Sequence, residues 1–446
     1  MPENLKKVTP RTLPGFMELL PSDQVWFNEL LDKIRYSYER FGFLPLDTPV
    51  IEDANILLAK TGGETSKQIY SFSKGDSELA LRFDLTVPLA KYISIHQGQL
   101  TFPFRRYQIG KVYRGERPQQ GRFREFYQCD IDIIGNEELD IMHDAEIPSI
   151  IYTTFTELGF SDFTIKINNR KILNGFFDFQ GVATQSAEIM RAIDKRDKLG
   201  DKIVIEELTK IAIPSDIITT IMNFISFEGT NEDKLEYLKG LDIKNELYQA
   251  GIAELEQVIS GIHMFGIPAN NFMIDLTIAR GLDYYTGTVY ETFLNQYREV
   301  GSICSGGRYD NLSEFYTTKK MPGVGISIGL TRLFYLLNKM EIIRPTRRSI
   351  TEILVIPMSN DTEATSMCLH VATILRKNGI NTEIFMSQKK TKAKFAYADK
   401  LNIPFTLIIG EDEVTANKVM FKDMTTGEQS LLTTEDVVAK FNNCSH

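Results

Sequence analysis

The 446-residue chain contains only four cysteines, and they stand far apart at positions 129, 304, 368 and 444. They form no CxxC pair, so the spacing that is typical of a structural zinc site or of a small disulfide framework is missing. We therefore predict isolated thiols and no metal centre held by the protein alone.

Long apolar runs are missing too. The chain has no uninterrupted apolar segment of the ~18 residues that a membrane-spanning helix needs. Its N-terminal stretch MPENLKKVTP lacks the apolar core of a signal peptide. These absences predict a cytoplasmic protein with no membrane partner.

An excess of positive charge is the third absence. The formal net charge of −9 argues against nucleic-acid binding driven by total charge, but it leaves room for a local basic surface. One such surface is the segment RGERPQQGRFREFYQ, residues 114–128, which places four arginines among glycines, glutamines and aromatic residues. Either this segment is a solvated hairpin or an anionic ligand completes it.

The segment belongs to a predicted pair of strands at residues 104–135. In the second strand Gln128, Asp130 and Asp132 alternate with apolar residues, which is the period-2 pattern of a half-buried strand. A polar face of this length is destabilising to bury unless a polar ligand binds there. We therefore expect a ligand on this face of the sheet.

The rest of the chain divides by its pattern of apolar residues. Residues 22–41 have the spacing of an amphipathic helix, and the next segment, which contains Pro45 and Pro49, suits an edge strand or an extended interface. A charged linker precedes a strand–helix alternation that predicts a small α/β domain with parallel pairing. The predicted boundaries are 1–168 for a first sheet-bearing part, 169–261 for a helical insertion, 262–343 for a second sheet-bearing part, 344–352 for the linker and 353–446 for the α/β domain.

The two common nucleotide-binding motifs are not present. GVGISIGL, residues 323–330, has the spacing GxGxxxG rather than GxGxxG, and close packing of a helix on a sheet explains its glycines equally well. The chain also has no GxxxxGK[ST] loop. Arg114, Arg280 and Arg332, however, recur in separate glycine-rich or strand-rich contexts, and guanidinium groups suit polyphosphates. Three of them on one sheet could hold a nucleoside triphosphate.

Several longer stretches carry a family resemblance that covers nearly the whole chain. FGFLPLDTPVIE, YRGERPQQGRFREFYQ and GVGISIGLTRL resemble the three motifs of class II aminoacyl-tRNA synthetases. ARGLDYYTGTVYE and CSGGRYDNL resemble two signatures of the histidyl-tRNA synthetase family. The resemblance implies an α+β fold with an antiparallel catalytic sheet flanked by helices, the sheet-bearing parts forming the catalytic domain, with a helical insertion and a C-terminal α/β anticodon-binding domain.

The resemblance also implies an activity. The expected reaction is the ATP-dependent ligation of L-histidine to tRNA(His) through histidyl-adenylate, with release of pyrophosphate and AMP. ATP is a substrate, Mg²⁺ bridges its phosphate oxygens, and a homodimer forms through residues 22–52. The rival interpretation is the related regulatory subunit of ATP phosphoribosyltransferase, which does not charge tRNA.

By the same resemblance, each substrate has its own set of residues. Catalysis is assigned to Arg114 and Arg280 at the α-phosphate and to Arg332 at the γ-phosphate, with Glu116 completing the ATP site. The expected histidine-binding residues are Asp84, Thr86, Gln128, Asp132, Tyr284 and Tyr285. The expected tRNA-binding residues are Arg117, Gln119, Arg122, Lys389 and Lys390.

Three of these assignments have alternatives. Tyr284 and Tyr285 could serve core packing, and the lysines around Lys389 could form an ordinary solvated face. Asp132 is expected to accept a hydrogen bond from an imidazole nitrogen, directly or through water. All five histidines lie outside the motifs, so we expect a phosphate oxygen of the adenylate, rather than a histidine, to take the proton in the transfer step.

Overall fold

The computed structural model of the chain describes residues 8–59, 64–117, 121–279, 284–311, 313–339, 348–359, 361–387 and 389–442. The chain divides into two compact units, Met1–Met17 with Leu30–Ile343 and Glu18–Glu29 with Arg344–His446. Within the described residues, no helix has both the length and the apolar character to cross a membrane. The predicted division of the first unit into catalytic and insertion domains stays a prediction.

An eight-stranded sheet forms the centre of the first unit. Across the sheet its strands are β1 (Leu44–Pro45), β5 (Phe104–Tyr113), β6 (Glu125–Ile134), β11 (Gly323–Gly329), β10 (Cys304–Tyr309), β9 (Thr288–Leu294), β7 (Phe163–Asn169) and β8 (Phe272–Ile274). The six strands from β5 to β7 pair antiparallel, whereas β1 and β8 pair parallel to their neighbours. The α+β prediction is confirmed, and the sheet is antiparallel everywhere except at its two edges.

The segment with Pro45 lies at one of those edges. Within the described structure β1 pairs only with β5, and Pro45 ends it. Because proline has no backbone N–H to donate to a second neighbour, an edge is the position that suits it. The edge-strand prediction is confirmed.

The two faces of β6 differ as its alternating sequence predicts. Cys129, Ile131 and Ile133 are fully buried on the apolar face. The helix α1 (Pro21–Arg40) contacts this strand through the Tyr38 hydroxyl, which donates to the carbonyl of Cys129 at 3.0 Å. The opposite, polar face of the sheet forms the floor of the cavity described below.

A smaller antiparallel sheet and a series of helices complete the first unit. The small sheet contains β2 (Ile51–Asp53), β4 (Ser77–Leu81) and β3 (Ser71–Lys74). Only the part of α1 from Leu30 onward belongs to this unit, and its other helices are α2 (Ala54–Leu58), α3 (Glu64–Gln68), α4 (Thr86–His96), α5 (Met142–Glu157), α6 (Arg170–Phe179), α7 (Ser186–Ile193), α8 (Arg196–Leu199), α9 (Asp201–Lys210), α10 (Ser215–Ile225), α11 (Asn231–Gly240), α12 (Glu246–Met264) and α13 (Leu330–Lys339).

The second unit contains a five-stranded sheet with helices. Its strands, in sheet order, are β13 (Thr382–Ile384), β12 (Ile353–Pro357), β14 (Phe405–Ile409), β15 (Val419–Asp423) and β16 (Gln429–Leu432). Its helices are α14 (Thr362–Lys377), α15 (Thr391–Lys400), α16 (Glu411–Ala416) and α17 (Thr434–Asn442). Strands β13, β12 and β14 are parallel, as predicted, but β14, β15 and β16 pair antiparallel. The parallel pairing predicted for the first three strands is confirmed, and β15 and β16 are additional strands for which the sequence analysis predicted no pairing. The short connection between β15 and β16, which contains Gly427 at φ 78°, can join only antiparallel neighbours.

Candidate active site

The polar face of β6 is built by strand register. Gln128 lies opposite Gly329, Asp130 opposite Ser327, and Asp132 opposite Gly325 on β11. Because directly opposed residues of an antiparallel pair project to the same face, these residues share one surface. A cavity of about 420 Å³ opens onto it.

Most of the predicted site residues line this one cavity. They are Asp84, Thr86, Arg114, Glu116, Arg122, Gln128, Asp132, Tyr284, Tyr285 and Arg332. Two others, Arg280 and Gln119, lie outside the described residues. Arg117 is exposed and does not line the cavity, and Lys389 and Lys390 are exposed residues of the second unit.

Arg114 follows β5 and is held by its own hairpin. Its backbone N–H donates to the carbonyl of Arg124 at 2.9 Å, and its side-chain Nε donates to the carbonyl of Phe83 at 3.0 Å. Its guanidinium carbon lies 5.1 Å from the ring centroid of Phe126, a cation–π contact. Among the described residues no carboxylate forms an ion pair with Arg114. Its positive charge is therefore positioned by neutral groups and is available to an anionic ligand.

Arg332 approaches the same cavity from the first turn of α13. Its Nη1 donates to the carbonyl of Ser302 at 2.9 Å, and its Nη2 donates to the carbonyl of Val300. A Cβ built at Gly121 would lie 3.5 Å from Cγ of Arg332, so the loop between β5 and β6 reaches this arginine. Beside it, Arg122 and Glu116 form an ion pair at 3.4 Å.

Asp132 is fully engaged by protein groups. Its Oδ2 lies 2.6 Å from Nη2 of the fully buried Arg106, and its Oδ1 accepts from the Tyr309 hydroxyl at 2.6 Å. Burial raises the pKa of Asp132, while the Arg106 charge and the Tyr309 hydrogen bond lower it. The predicted contact of Asp132 with a ligand stays a prediction, but both of its oxygens already have strong partners.

Gly325 makes this arrangement possible. A Cβ at position 325 would lie 2.3 Å from Oδ1 of Asp132 and equally close to the carbonyl of Ile131. The glycines of GVGISIGL therefore allow close packing within the sheet. In the described structure they do not follow a strand in the manner of a dinucleotide-binding loop, because they form β11 itself.

Three buried acceptor oxygens along the cavity have no hydrogen-bond partner in the described part of the chain. They are Oδ2 of Asp84, Oε1 of Gln128 and Oδ1 of Asp130. Burial raises the pKa of Asp84 to about 6, although the amide of Val87 and the charge of Arg114 lower it. Buried acceptors are nearly always satisfied in folded proteins, so these atoms indicate a donor-rich ligand.

Three tyrosines form an aromatic wall of the cavity. The rings of Tyr284 and Tyr285 meet edge to face at 4.9 Å, and those of Tyr284 and Tyr309 at 5.9 Å. The first two also pack against an apolar cluster that includes Leu89 and Ile93. Tyr284 and Tyr285 therefore both pack against the core and line the cavity.

Sequence reasoning missed three residues of this site. Arg106 and Tyr309 hold Asp132, and Ser327 accepts a hydrogen bond from Nε2 of Gln128 at 2.7 Å. Asp130 was placed on the polar face but given no role. Its signal was the alternation Gln128, Asp130, Asp132, which puts a third polar side chain between two assigned ones. None of the described histidines lines the cavity.

This fold and cavity define a class II aminoacyl-tRNA synthetase core. The family model described as histidyl-tRNA synthetase matches residues 15–333, and the model described as an anticodon binding domain matches residues 352–443. The chain belongs to the histidyl-tRNA synthetase family. The family prediction made from the motifs is confirmed.

Individual relatives cover nearly the full chain. A histidine–tRNA ligase of Clostridium tetani is 56% identical over 437 residues, covering 98% of this chain and 99% of the relative. A histidine–tRNA ligase of Finegoldia magna is 46% identical and covers 97% of this chain and 99% of its own length. The crystal structure of histidyl-tRNA synthetase from Nostoc sp. PCC 7120 has a TM-score of 0.88 at 41% identity, covering 98% of this chain and 100% of that one.

Proposed function

We propose that this chain ligates L-histidine to tRNA(His), using ATP and forming histidyl-adenylate as the intermediate. The observation that carries the proposal is the cavity itself. Among the described residues, it combines the guanidinium group of Arg114, which has no carboxylate partner, with one unpartnered acceptor oxygen each of Asp84 and Gln128, in a chain of this family. An anionic triphosphate and a cationic amino group are the complementary ligands.

In the activation step a carboxylate oxygen of histidine attacks the α-phosphorus, and the bond to the leaving pyrophosphate breaks. The carboxylate is already ionised at pH 7, so the step needs positioning and charge stabilisation rather than a general base. Arg114 supplies fixed positive charge for the α-phosphate, and Arg332 supplies it for the γ-phosphate. Arg280 is proposed for the opposite side of the α-phosphate by family resemblance alone.

The ammonium group of histidine is proposed to bind the acceptors at the end of the cavity near Arg114. In the described part of the chain, Asp84 and Gln128 each have one buried oxygen without a partner, and an ammonium group has three N–H donors. Thr86 begins α4 beside them, and its hydroxyl hydrogen-bonds Tyr284. Ligand binding would therefore satisfy atoms that the protein leaves unsatisfied.

We propose Mg²⁺ as the partner of the ATP phosphates. Glu116 and Glu291 line the cavity, and their carboxylate oxygens are of the ligand type that Mg²⁺ accepts alongside phosphates. The ion would neutralise phosphate charge when bound. Glu116 also forms an ion pair with Arg122 at 3.4 Å.

In the transfer step the 3′-terminal hydroxyl of the tRNA attacks the histidyl carbonyl, and AMP leaves. Its proton is proposed to pass to a phosphate oxygen of the adenylate, since no described histidine lines the cavity. Arg117, Gln119 and Arg122 are proposed for the acceptor end of the tRNA. Lys389 and Lys390 are proposed for phosphates on the anticodon side, where their exposed ammonium groups suit such contacts.

We also propose a cytoplasmic homodimer. The segment proposed for the dimer contact exposes apolar side chains, namely Leu44 at 61%, Ile51 at 48% and Val50 at 38%. Exposed apolar side chains in one extended segment are a feature of protein interfaces. Sedimentation of the purified chain with and without charged substitutions at these positions tests the proposal.

The decisive experiment is histidine-dependent exchange of labelled pyrophosphate into ATP, followed by charging of tRNA(His). We expect both activities in the wild type. Arg280→Ala is expected to lower exchange by at least ~10²-fold, the scale seen when one preorganised charge-stabilising group is removed. A chain that binds histidine but catalyses neither reaction would favour the regulatory-subunit interpretation. A crystal structure of an ATP phosphoribosyltransferase regulatory subunit/histidyl-tRNA synthetase from Bacillus halodurans is 21% identical to this chain, and that likeness shows the fold alone.

A further inference from the structure

Two described segments flank the part of the signature ARGLDYYTGTVYE that contains Arg280, and both contact the end of strand β7. The first flank, residues 275–279, follows β8, and the second flank, residues 284–287, leads into β9. Tyr284 and Tyr285 of the second flank line the cavity. Only four residues, 280–283, join the two flanks, so the position of Arg280 depends on where the flanks are held.

Asn168, near the end of β7, holds the first flank. Its side chain is fully buried, and its Nδ2 donates to the carbonyl of Ile278 at 3.0 Å and to that of Leu276 at 3.4 Å. The flank is not a strand, yet Leu276, Ile278 and Ala279 are all buried. Buried carbonyls outside regular pairing need a donor, and the amide of Asn168 supplies one to two of them.

Arg170, two residues further along the chain, holds the second flank. Its backbone N–H donates to the carbonyl of Gly287 at 2.9 Å, and its Nη1 donates to the carbonyl of Tyr285 at 3.0 Å. The residue is 6% exposed, so these bonds are shielded from water. The guanidinium group is a planar fork with fixed donor directions, which orients the carbonyl that it binds. The main chain at Tyr285 is therefore fixed relative to the end of β7.

Asn169, between these two residues, serves different neighbours. Its Oδ1 accepts a backbone N–H and so caps α6, and its Nδ2 donates to Glu254 of α12 at 2.9 Å. Successive residues of a strand point to opposite faces, which explains why Asn168 and Asn169 contact different elements. Nη2 of Arg170 also lies 3.6 Å from Sδ of Met190 on α7. The helices that follow β7 and the two flanks of the signature therefore meet at one tripeptide.

We propose that Asn168 and Arg170 are positioning residues, which fix the two flanks of the signature so that Arg280 meets the α-phosphate of ATP. Neither residue lines the cavity, and each acts through backbone carbonyls of a flank. A displacement of about 1 Å in a reacting geometry is enough to lower a rate by roughly 10²-fold. This inference rests on the proposed function, because it takes Arg280 as a group that stabilises the reacting phosphate.

A purely structural role is the alternative for both residues. Oδ1 of Asn168 also accepts the N–H of Asn169 at 2.8 Å, and Arg170 is the first residue of α6, so a substitution could act by loosening β7 or α6. The two roles differ in what responds. A structural role lowers the amount of folded protein, whereas a positioning role lowers turnover per folded molecule and does so only while Arg280 is present.

The test is pyrophosphate exchange by wild type, Arg170→Met and Asn168→Leu, with ATP varied at saturating histidine. Methionine keeps an unbranched stem and leucine keeps the branched shape of asparagine, but both remove the side-chain donors to the flanks. We expect kcat to fall at least ~10-fold while the KM for ATP changes less than ~3-fold, because an interaction needed mainly in the transition state affects kcat. Arg170→Lys, which keeps a charged donor, should recover part of the loss. An unchanged kcat in either Arg170→Met or Asn168→Leu overturns the proposal.

A double-mutant cycle provides a readout that a structural role would not give. In the Arg280→Ala background, Arg170→Met should lower kcat by less than ~2-fold, because the group that Arg170 positions is already gone. The same result is expected for Asn168→Leu in that background. If either substitution lowers kcat by at least ~10-fold both with and without Arg280, the residue acts elsewhere, and the proposal is overturned.

Asn169→Ala is the matched control in the same tripeptide. It removes a fully buried amide that caps α6 and binds Glu254, so it should lower the thermal unfolding temperature while kcat stays within ~2-fold of wild type. A loss of kcat in Asn169→Ala equal to that in Arg170→Met would mean that the whole junction is needed, which overturns the proposal.

Thermal unfolding of every variant checks folding, and Asn168→Leu and Arg170→Lys keep the test open if Arg170→Met does not fold. A wild type that exchanges no pyrophosphate overturns the proposed function, and this inference with it. An active wild type whose Arg170 and Asn168 variants are indistinguishable from it overturns this inference alone.

Discussion

The two large sheets of this protein differ in whether the buried polar side chains around them have hydrogen-bond partners. In the described part of the chain, the buried side-chain polar atoms without a partner all belong to the first unit, and Asp84, Gln128 and Asp130 place theirs on its cavity. In the second unit the buried Lys394 donates to the carbonyl of Pro357 at 2.5 Å. Among the described residues, the second unit therefore leaves no buried side-chain polar atom without a partner, whereas the first unit leaves such atoms available to a ligand.

Apolar packing explains why the five-stranded sheet of the second unit needs no ligand to satisfy its buried side chains. Ile353, Val355 and Leu407 are fully buried in a cluster on one face, and Leu354 and Ile356 lie in a second cluster with other partners. A strand buried on both faces gains stability from apolar area alone. In the first sheet only one face of β6 is apolar, and the other carries a row of carboxylate and amide groups. A polar face that binds a ligand gives up the stabilisation that apolar burial would supply, so the ligand site lowers the stability of the fold around it.

The largest expected effect concerns Arg114, whose guanidinium group has no carboxylate partner among the described residues. Arg114→Ala should lower pyrophosphate exchange by at least ~10²-fold, because it removes fixed positive charge from the reacting phosphate. Arg124→Ala is the matched control in the same hairpin, since Arg124 binds the carbonyl of Glu116 and does not line the cavity. Exchange rates under saturating substrates give the comparison. Similar losses in both variants would mean that the hairpin, and not the charge of Arg114, is needed.

A substitution at Gly325 should damage the first sheet from within. Gly325→Ala places a methyl group 2.3 Å from a carboxylate oxygen of Asp132 and from a backbone carbonyl that cannot move freely. We expect the free energy of unfolding to fall by about 1–3 kcal/mol, as in other overpacked cores, together with a higher KM for histidine. Gly427→Ala in the second unit has open space but a φ of 78°, so it should lower stability without altering that KM. Denaturant unfolding and exchange kinetics distinguish the two.

The stability of the free protein should depend on pH through Asp130 and Asp84, the buried carboxylates of the cavity whose pKa is raised most. Folding raises the pKa of Asp130 to about 7, so the native state binds a proton more tightly than the unfolded chain, and stability falls as pH rises from the unfolded value through 7. Asp130→Asn should reduce this slope by up to about 1.4 kcal/mol per pH unit between the two pKa values. Denaturant unfolding at pH 5, 6 and 7, between the two pKa values, measures the difference. Asp84, with a pKa of about 6, retains its own smaller part of the slope.

The smallest expected effect lies in the five-stranded sheet of the second unit. Ile353→Val removes one methylene from the cluster around Val371 and Leu407, which should lower the stability of the second unit by about 0.5–1.5 kcal/mol. Pyrophosphate exchange should stay at the wild-type rate, because Ile353 belongs to the second unit and the cavity-lining residues belong to the first. A large loss of exchange would contradict the expectation that packing in the second unit affects stability but not the activity of the cavity in the first.

Local sequence pattern predicted the parts of the site that depend on one strand. The alternation in β6 put Gln128 and Asp132 on a polar face, and the family motifs brought Asp84, Arg114 and Tyr285 to the same cavity. The partners of Asp132 were not predictable in this way. Arg106 comes from β5 and Tyr309 from β10, and only pairing across the sheet brings these strands beside β6 or within reach of it.

The sequence by itself determined the family, the α+β class and the two faces of the central strand, because motif spacing and period-2 alternation are properties of neighbouring residues. Only the tertiary structure decided that both carboxylate oxygens of Asp132 have partners, whereas one oxygen of Asp130 has none among the described residues. Asp130 and Asp132 are chemically identical, and their difference arises from the groups that other strands bring against them. Burial, hydrogen bonding and charge at a given atom depend on residues that are distant along the chain.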